Sequence, residues 1–160
     1  MKIEYLIIVG LAFSLLSCVS EVSEGRQEAR NFLPEDTLYV AIIQFDSRDS
    51  CCQPTTLSKA ELHILDSLIT VFVADFEGKL AEDKVGHEKI DLSAKKYYRQ
   101  YVPSITDGEK KVWANFFCGK PSPNWRTEIL STKDGGNCFF NLTINLTRKS
   151  YSFFMVNGEA

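Results

Sequence analysis

Between Cys138 and Thr147 the chain alternates strictly. Cys138, Phe140, Leu142, Ile144 and Leu146 fall on one side, and Phe139, Asn141, Thr143, Asn145 and Thr147 on the other. Successive strand side chains point to opposite faces, so this run predicts a strand with one buried and one wetter face. Such a strand needs neighbours to pair its backbone, and the flanking sequence provides them. Asp134-Gly135-Gly136-Asn137 reads as a hairpin turn leading into it. Thr147 to Ser150 reads as a turn out of it, and Tyr151 to Val156 as the last strand. Upstream, Lys110 to Cys118 is a predicted strand with Val112, Ala114 and Phe116 on one face and Trp113, Asn115 and Phe117 on the other. Gly119 to Asn124 holds two prolines and reads as a loop, with Trp125 to Thr132 as the next strand. The C-terminal third is therefore expected to be an antiparallel meander.

The preceding half has a different rhythm. Thr37 to Phe45, rich in β-branched and aromatic residues, predicts a strand, and the polar stretch Asp46 to Thr56, with Cys51, Cys52 and Pro54, a loop. From Leu57 to about Glu77 the apolar residues follow helical spacing, through Leu62, Leu65, Ile69, Phe72, Val73 and Phe76. Ser58 with Glu61 three residues later forms a capping box at the start, and Gly78 marks the expected end. Glu82 to Ile90 reads as a polar link. Ser93 to Tyr101 fits a short helix or a strand, ended in either case by Pro103. One long helix and about five strands predict an α+β fold in which the helix packs on a curved antiparallel sheet. In outline this resembles cystatin-like or nuclear-transport-factor-like rolls. At 160 residues, with 44% apolar and 24% charged residues, the chain has room for one domain with a real core, expected over residues 36–160. No internal repeat is visible.

The N-terminus speaks to location. Lys2 precedes an apolar run from Tyr5 to Leu16, about a dozen residues, which suits a signal-peptide core and is too short for a membrane span of roughly 20 residues. It ends in Leu15-Leu16-Ser17-Cys18, which resembles the lipobox of bacterial lipoproteins. There the cysteine thiol takes a diacylglycerol and the chain is cut just before it. The resemblance implies a signal peptide over residues 1–17, lipidation at Cys18 and attachment to the membrane through that anchor. Residues 18–35 are polar and aperiodic and read as a flexible tether. Glu21 and Glu24 resemble the acidic surface-export signal of Bacteroidota-type lipoproteins, although they are not consecutive. Net charge is −3, from 18 basic and 21 acidic residues, without long runs of one sign. That balance argues against a nucleic-acid partner, which needs a basic surface to neutralise phosphates.

Tyr98-Arg99-Gln100-Tyr101-Val102-Pro103, Gly108 to Trp113, Asp134 to Phe140, Ile144 to Thr147 and Val156-Asn157-Gly158 resemble a group of small uncharacterised lipoproteins and secreted proteins from Bacteroidota-type bacteria. The likeness covers roughly the last 65 residues; it implies an envelope location and no known activity. Apart from Cys18, four cysteines remain, Cys51, Cys52, Cys118 and Cys138, allowing three pairings in an oxidising compartment. In a simple meander Cys118 and Cys138 would sit at opposite ends of the sheet, about 20 Å apart at ~3.3 Å per residue, too far to bridge. Either the strand order is not simple, or bridges run to the Cys51/Cys52 loop, or some thiols stay free. The resemblance, which includes the Cys138 motif and a cysteine near position 118, favours a paired role, and Cys118–Cys138 is taken as the expected bridge.

Motifs for chemistry are sparse. His63 and His87 stand alone, with no catalytic signature around them, and no Cys-x-x-Cys is present, so neither a catalytic centre, a metal site nor a cofactor is expected. Gly135-Gly136 is expected to join strands and does not open a helix as a phosphate loop would. Asn141 and Asn145 head glycosylation acceptor patterns that a bacterial signal makes irrelevant. Asp36-Thr37-Leu38 and Asp66-Ser67-Leu68 resemble a short O-glycosylation motif of Bacteroidota-type envelope proteins, with Thr37 the more accessible. The richest group for recognition is Tyr97, Tyr98, Arg99, Tyr101, Trp113 and Trp125, since aromatics and Arg anchor binding surfaces. The competing reading is that they fill the core. The expectation is a lipid-anchored envelope protein that acts by binding an envelope protein, a glycan or a secreted hydrolase that it inhibits. The alternative is a small envelope enzyme or thiol-redox protein, which would place a histidine in a pocket with a cysteine or carboxylate.

Overall fold

A computed structural model describes residues 38–44, 52–82 and 89–158. The apolar N-terminal segment, Cys18, the tether, Thr37, Cys51 and His87 lie outside the described residues. Six strands and one helix follow in the order β1 (Val40–Ile42), β2 (Gln53–Pro54), α1 (Lys59–Glu82), β3 (Tyr98–Thr106), β4 (Glu109–Phe117), β5 (Phe139–Asn145) and β6 (Ser150–Val156). They form an α+β fold with an open sheet ordered β1-β3-β4-β5-β6, in which β2 shares the β1 edge of β3. Among the described residues no helix is long and apolar enough to cross a membrane.

The sheet is mixed, where the sequence pointed to an antiparallel one. β1 pairs with β3 in parallel, Val40 opposite Arg99 and Ile42 opposite Tyr101. The cause is the connection: α1 lies between the two strands in the chain, and a helical crossover returns the next strand in the same direction. The remaining pairings, β2 with β3, β3 with β4, β4 with β5 and β5 with β6, are antiparallel.

α1 begins as its capping box dictates. The Ser58 N–H donates to Glu61 Oε2 at 2.8 Å and the Glu61 N–H returns to Ser58 Oγ at 3.2 Å. Lys110 on β4 donates to the other Glu61 oxygen at 2.6 Å, and this bond, with the Ser58 N–H, pulls the Glu61 carboxyl down to about 2. The helix then runs through Gly78 to Glu82, one turn beyond its expected end. A single helical glycine costs only about 1 kcal/mol, which the Asp75–Lys79 pair across that turn helps to offset. Leu65, Ile69, Phe72 and Val73 are buried along the face of α1 that packs on the sheet. Opposite them lie Tyr97, Tyr101, Val112, Phe116, Phe140 and Ile144, which with the helix residues make the main core.

Pro103 sits inside β3 and does not end it. The Arg99 N–H donates to Tyr39 O and Tyr101 O accepts from the Ile43 N–H, so odd-numbered β3 residues turn their backbone polar groups toward β1. Pro103 falls where β1 has ended and β2 is only beginning, so its missing N–H takes no bond from the β3–β4 ladder. β5 follows the predicted alternation, with Phe140, Leu142 and Ile144 buried. At the free edge, β6 carries a bulge opposite Asn141 to Thr143. Phe153, which stands there at φ 56°, is 70% exposed.

Two predicted elements are absent. Trp125 to Thr132 holds no strand: turns closed by Trp125 N–H to Ser122 O and Thr127 N–H to Asn124 O run to Glu128, and residues 129–132 are irregular. Asp134 to Asn137 is no hairpin: Gly135 is left-handed and a 3₁₀ turn, Gly136–Cys138, feeds β5 directly. A Cβ on Gly135 would stand 2.4 Å from the Phe139 ring, so only glycine fits. With no strand between them, β4 and β5 are neighbours, and Cys118 and Cys138 flank the same end of that ladder. The separation of about 20 Å expected from a simple meander is thereby corrected: the two cysteines form a disulfide with Cα atoms 5.1 Å apart.

Candidate binding cleft on the second sheet face

The two faces of the sheet have different fates. The face under α1 holds an ionic group within its core. Arg99 Nη1 donates to Asp66 Oδ1 at 3.0 Å, and the Tyr101 hydroxyl donates to the same oxygen at 2.9 Å. Burial pushes the Asp66 carboxyl above the usual carboxylate range, more than the Arg99 charge beside it draws it down. Burial likewise raises the Tyr101 phenol. Tyr97 is buried on this side too, its hydroxyl donating to Asn137 O at 2.9 Å. Asn137 is itself buried, accepting from Lys95 and donating to Lys89 O, and so ties the segment before β3 to the start of β5.

The opposite face is covered at one end by the turns after β4. Trp125 packs there with Ala41 and Phe117, against Tyr98 and Phe139, with the Arg126 guanidinium over its indole. Buried amides fix the chain above them. Gln100 Nε2 donates to Trp125 O and to Glu128 O, and Gln100 Oε1 accepts from the Leu130 N–H at 2.9 Å. Asn115 Nδ2 donates to Gln100 Oε1 at 3.0 Å and to Leu130 O at 2.9 Å. Strand pairing places Gln100 opposite Asn115, so one amide pair turns a backbone with no ladder of its own into a satisfied layer.

Beyond that layer no described residue covers the face. A cleft of about 220 Å³ lies there, lined by Trp113, Asn115, Asn141 and Asn157 with Ile129 and Phe139. Trp113 is half-buried, and its ring makes no aromatic or cation–π contact among the described residues, unlike that of Trp125. Asn115 spends its amide hydrogens inward, and Asn157 donates to Thr132 O at 2.7 Å, so each keeps its amide oxygen for the cleft. The Asn141 side chain makes no hydrogen bond among the described residues. Among the described residues no charged side chain lines the cleft. Ile129 and Met155 are exposed, and Met155 stands opposite Asn141 on β6.

The candidate surface of the sequence reading is thus divided. Tyr97, Arg99 and Tyr101 are buried under α1, and Trp125 is buried on the other face, so the four are corrected to packing residues. Their strand pattern could not distinguish a covered face from an open one. Only Trp113 reaches the cleft. Asn115, Asn141 and Asn157 were missed as a group, because only the strand register brings them together.

The other candidates are dispersed. His63 lines a shallow, open depression with Ser67 and Lys149, and no cysteine or carboxylate lines it. Ser67 is exposed and donates to His63 O, while the Asp66 beside it is committed to Arg99 and Tyr101. Cys52 accepts from the Thr106 hydroxyl at 3.4 Å. Among the described residues no group of three or more His, Cys, Asp or Glu gathers to hold a metal. Asp75, Lys79 and Tyr151 form a polar group at the surface, linked by 2.7 Å between Lys79 and Asp75 and by the Tyr151 hydroxyl donating to Asp75. No family model, curated protein or solved structure matches this chain.

Proposed function

We propose that this chain is a lipid-anchored protein of a bacterial envelope, akin to the small uncharacterised lipoproteins that its C-terminal segments resemble, and that it acts by non-catalytic binding. The apolar run Tyr5 to Leu16 followed by Leu15-Leu16-Ser17-Cys18 supports the anchor. One observation carries the binding reading: on the second sheet face Trp113, whose indole makes no ring contact among the described residues, shares a cleft with side-chain amides and with no titratable group among those residues. Concave sites with an apolar wall and a few polar groups are the usual form of a ligand site.

Two measurements test this reading. The intact mass of the membrane-extracted protein should give a chain beginning at Cys18 with added acyl mass; an uncut chain in the soluble fraction would overturn the anchor. The detergent-extracted full chain should be retained on immobilised envelope material. Trp113→Ala should lower that retention about tenfold or more, as expected of a central aromatic anchor, with an unchanged circular dichroism spectrum. Equal retention of the two proteins would remove the cleft from the reading.

A further inference from the structure

Resting on the binding reading, we infer that the cleft around Trp113 takes one ring of a neutral saccharide. The inference begins with charge. Charged ligands are met by opposite charges, and here no charged side chain among the described residues lines the walls. The polar side chains present are three asparagine amides, from β4, β5 and the segment after β6, with the hydroxyls of Ser131 and Thr132 beside them. An amide offers both donors and an acceptor, which matches a hydroxyl, itself donor and acceptor. Asn115 directs its N–H groups to Gln100 Oε1 and the carbonyl of residue 130, and Asn157 to the carbonyls of residues 132 and 134. Their oxygens remain to accept hydroxyl protons, while the Asn141 amide remains to donate and to accept.

The rest of the cleft suits the apolar side of a sugar ring. The indole of Trp113 offers a flat face, and Phe139 and Ile129 extend the apolar wall. Size sets the scale: about 220 Å³ is smaller than the roughly 300–1,000 Å³ of sites for drug-sized ligands, so the cleft has room for one ring and any further rings lie outside. A peptide strand fits less well. Both strands under the cleft, β4 and β5, are paired on each side, so no free backbone edge is presented for strand addition.

The test uses the detergent-extracted full chain on an array of neutral, acidic and basic glycans, followed by titration of tryptophan fluorescence with the neutral glycans that bind. Neutral glycans should bind and shift the fluorescence. Trp113→Ala should weaken binding about tenfold or more, and Asn141→Ala about three- to tenfold, the worth of one or two hydrogen bonds. Trp113→Phe, which keeps an aromatic face, should recover part of the loss and guards against a folding defect in the alanine variant. Binding confined to acidic or basic glycans, or to none, overturns the saccharide inference. If envelope material is still retained through Trp113 in that case, the binding reading stands and its ligand is of another class, such as a neutral peptide. If that retention also fails, both fall together.

Discussion

Asp66 shows how one buried residue governs its neighbours. Its carboxylate is the shared acceptor for Arg99 and Tyr101, all three within the layer between α1 and the sheet. The Arg99 side chain is 4% exposed and that of Asp66 12%, so neither charge can be left for water to solvate. Removing one partner of a buried ion pair typically costs 3–5 kcal/mol, because the other charge stays behind. Asp66→Ala is therefore expected to destabilise the fold by about 3–5 kcal/mol in urea unfolding. Replacing both charges with apolar residues removes the stranded charge, so Asp66→Leu with Arg99→Met should unfold at a higher urea concentration than Asp66→Ala alone. If the double variant is the weaker of the two, the pair contributes more through geometry than desolvation costs it.

At the scale of elements, α1 makes a clear case. Gly78 lies within its last turns, where a Cβ would meet no atom within 4 Å. Gly78→Ala is thus free of clash and should stabilise the protein by about 0.5–1 kcal/mol through the smaller entropy loss of alanine; a lower midpoint of thermal unfolding would contradict this. α1 and β5 were legible in the sequence because each carries its own period, 3.6 or 2, and Ser58 with Glu61 announces the helix start. β4 was legible for the same reason. The parallel β1 pairing was not, since Val40 to Ile42 reads equally well beside any partner and the helical crossover decides its direction. Residues Trp125 to Thr132 were misread as a strand because the apolar ones among them imitate a strand pattern. What holds them is remote in sequence: Gln100 and Asn115 take their carbonyls from below. The cleft was legible only through Trp113, for its asparagines have no spacing that marks them and meet through register alone.

For the whole molecule, the long connection between β4 and β5 joins stability to the second sheet face. Its ends are closed by the Cys118–Cys138 disulfide, a sequence separation of 20. Its middle is held by the amides of Gln100 and Asn115, and it supplies both the Trp125 plug and the Ile129 side of the cleft. Closing a loop of that length removes unfolded-state entropy worth about 3 kcal/mol. The double variant Cys118→Ser, Cys138→Ser should therefore lose about 3 kcal/mol in denaturant unfolding. Its native sheet should persist, because the β4–β5 ladder and the buried amides do not depend on the bridge. Hydrogen exchange separates the two restraints. The Leu130 N–H donates to Gln100 Oε1, so in the serine variant it should open only with global unfolding. In Gln100→Ala, with the disulfide intact, it should exchange by local opening well before the sheet does. Early exchange of Leu130 in the serine variant would mean that the bridge, and not the amide pair, keeps the covering layer on the second face.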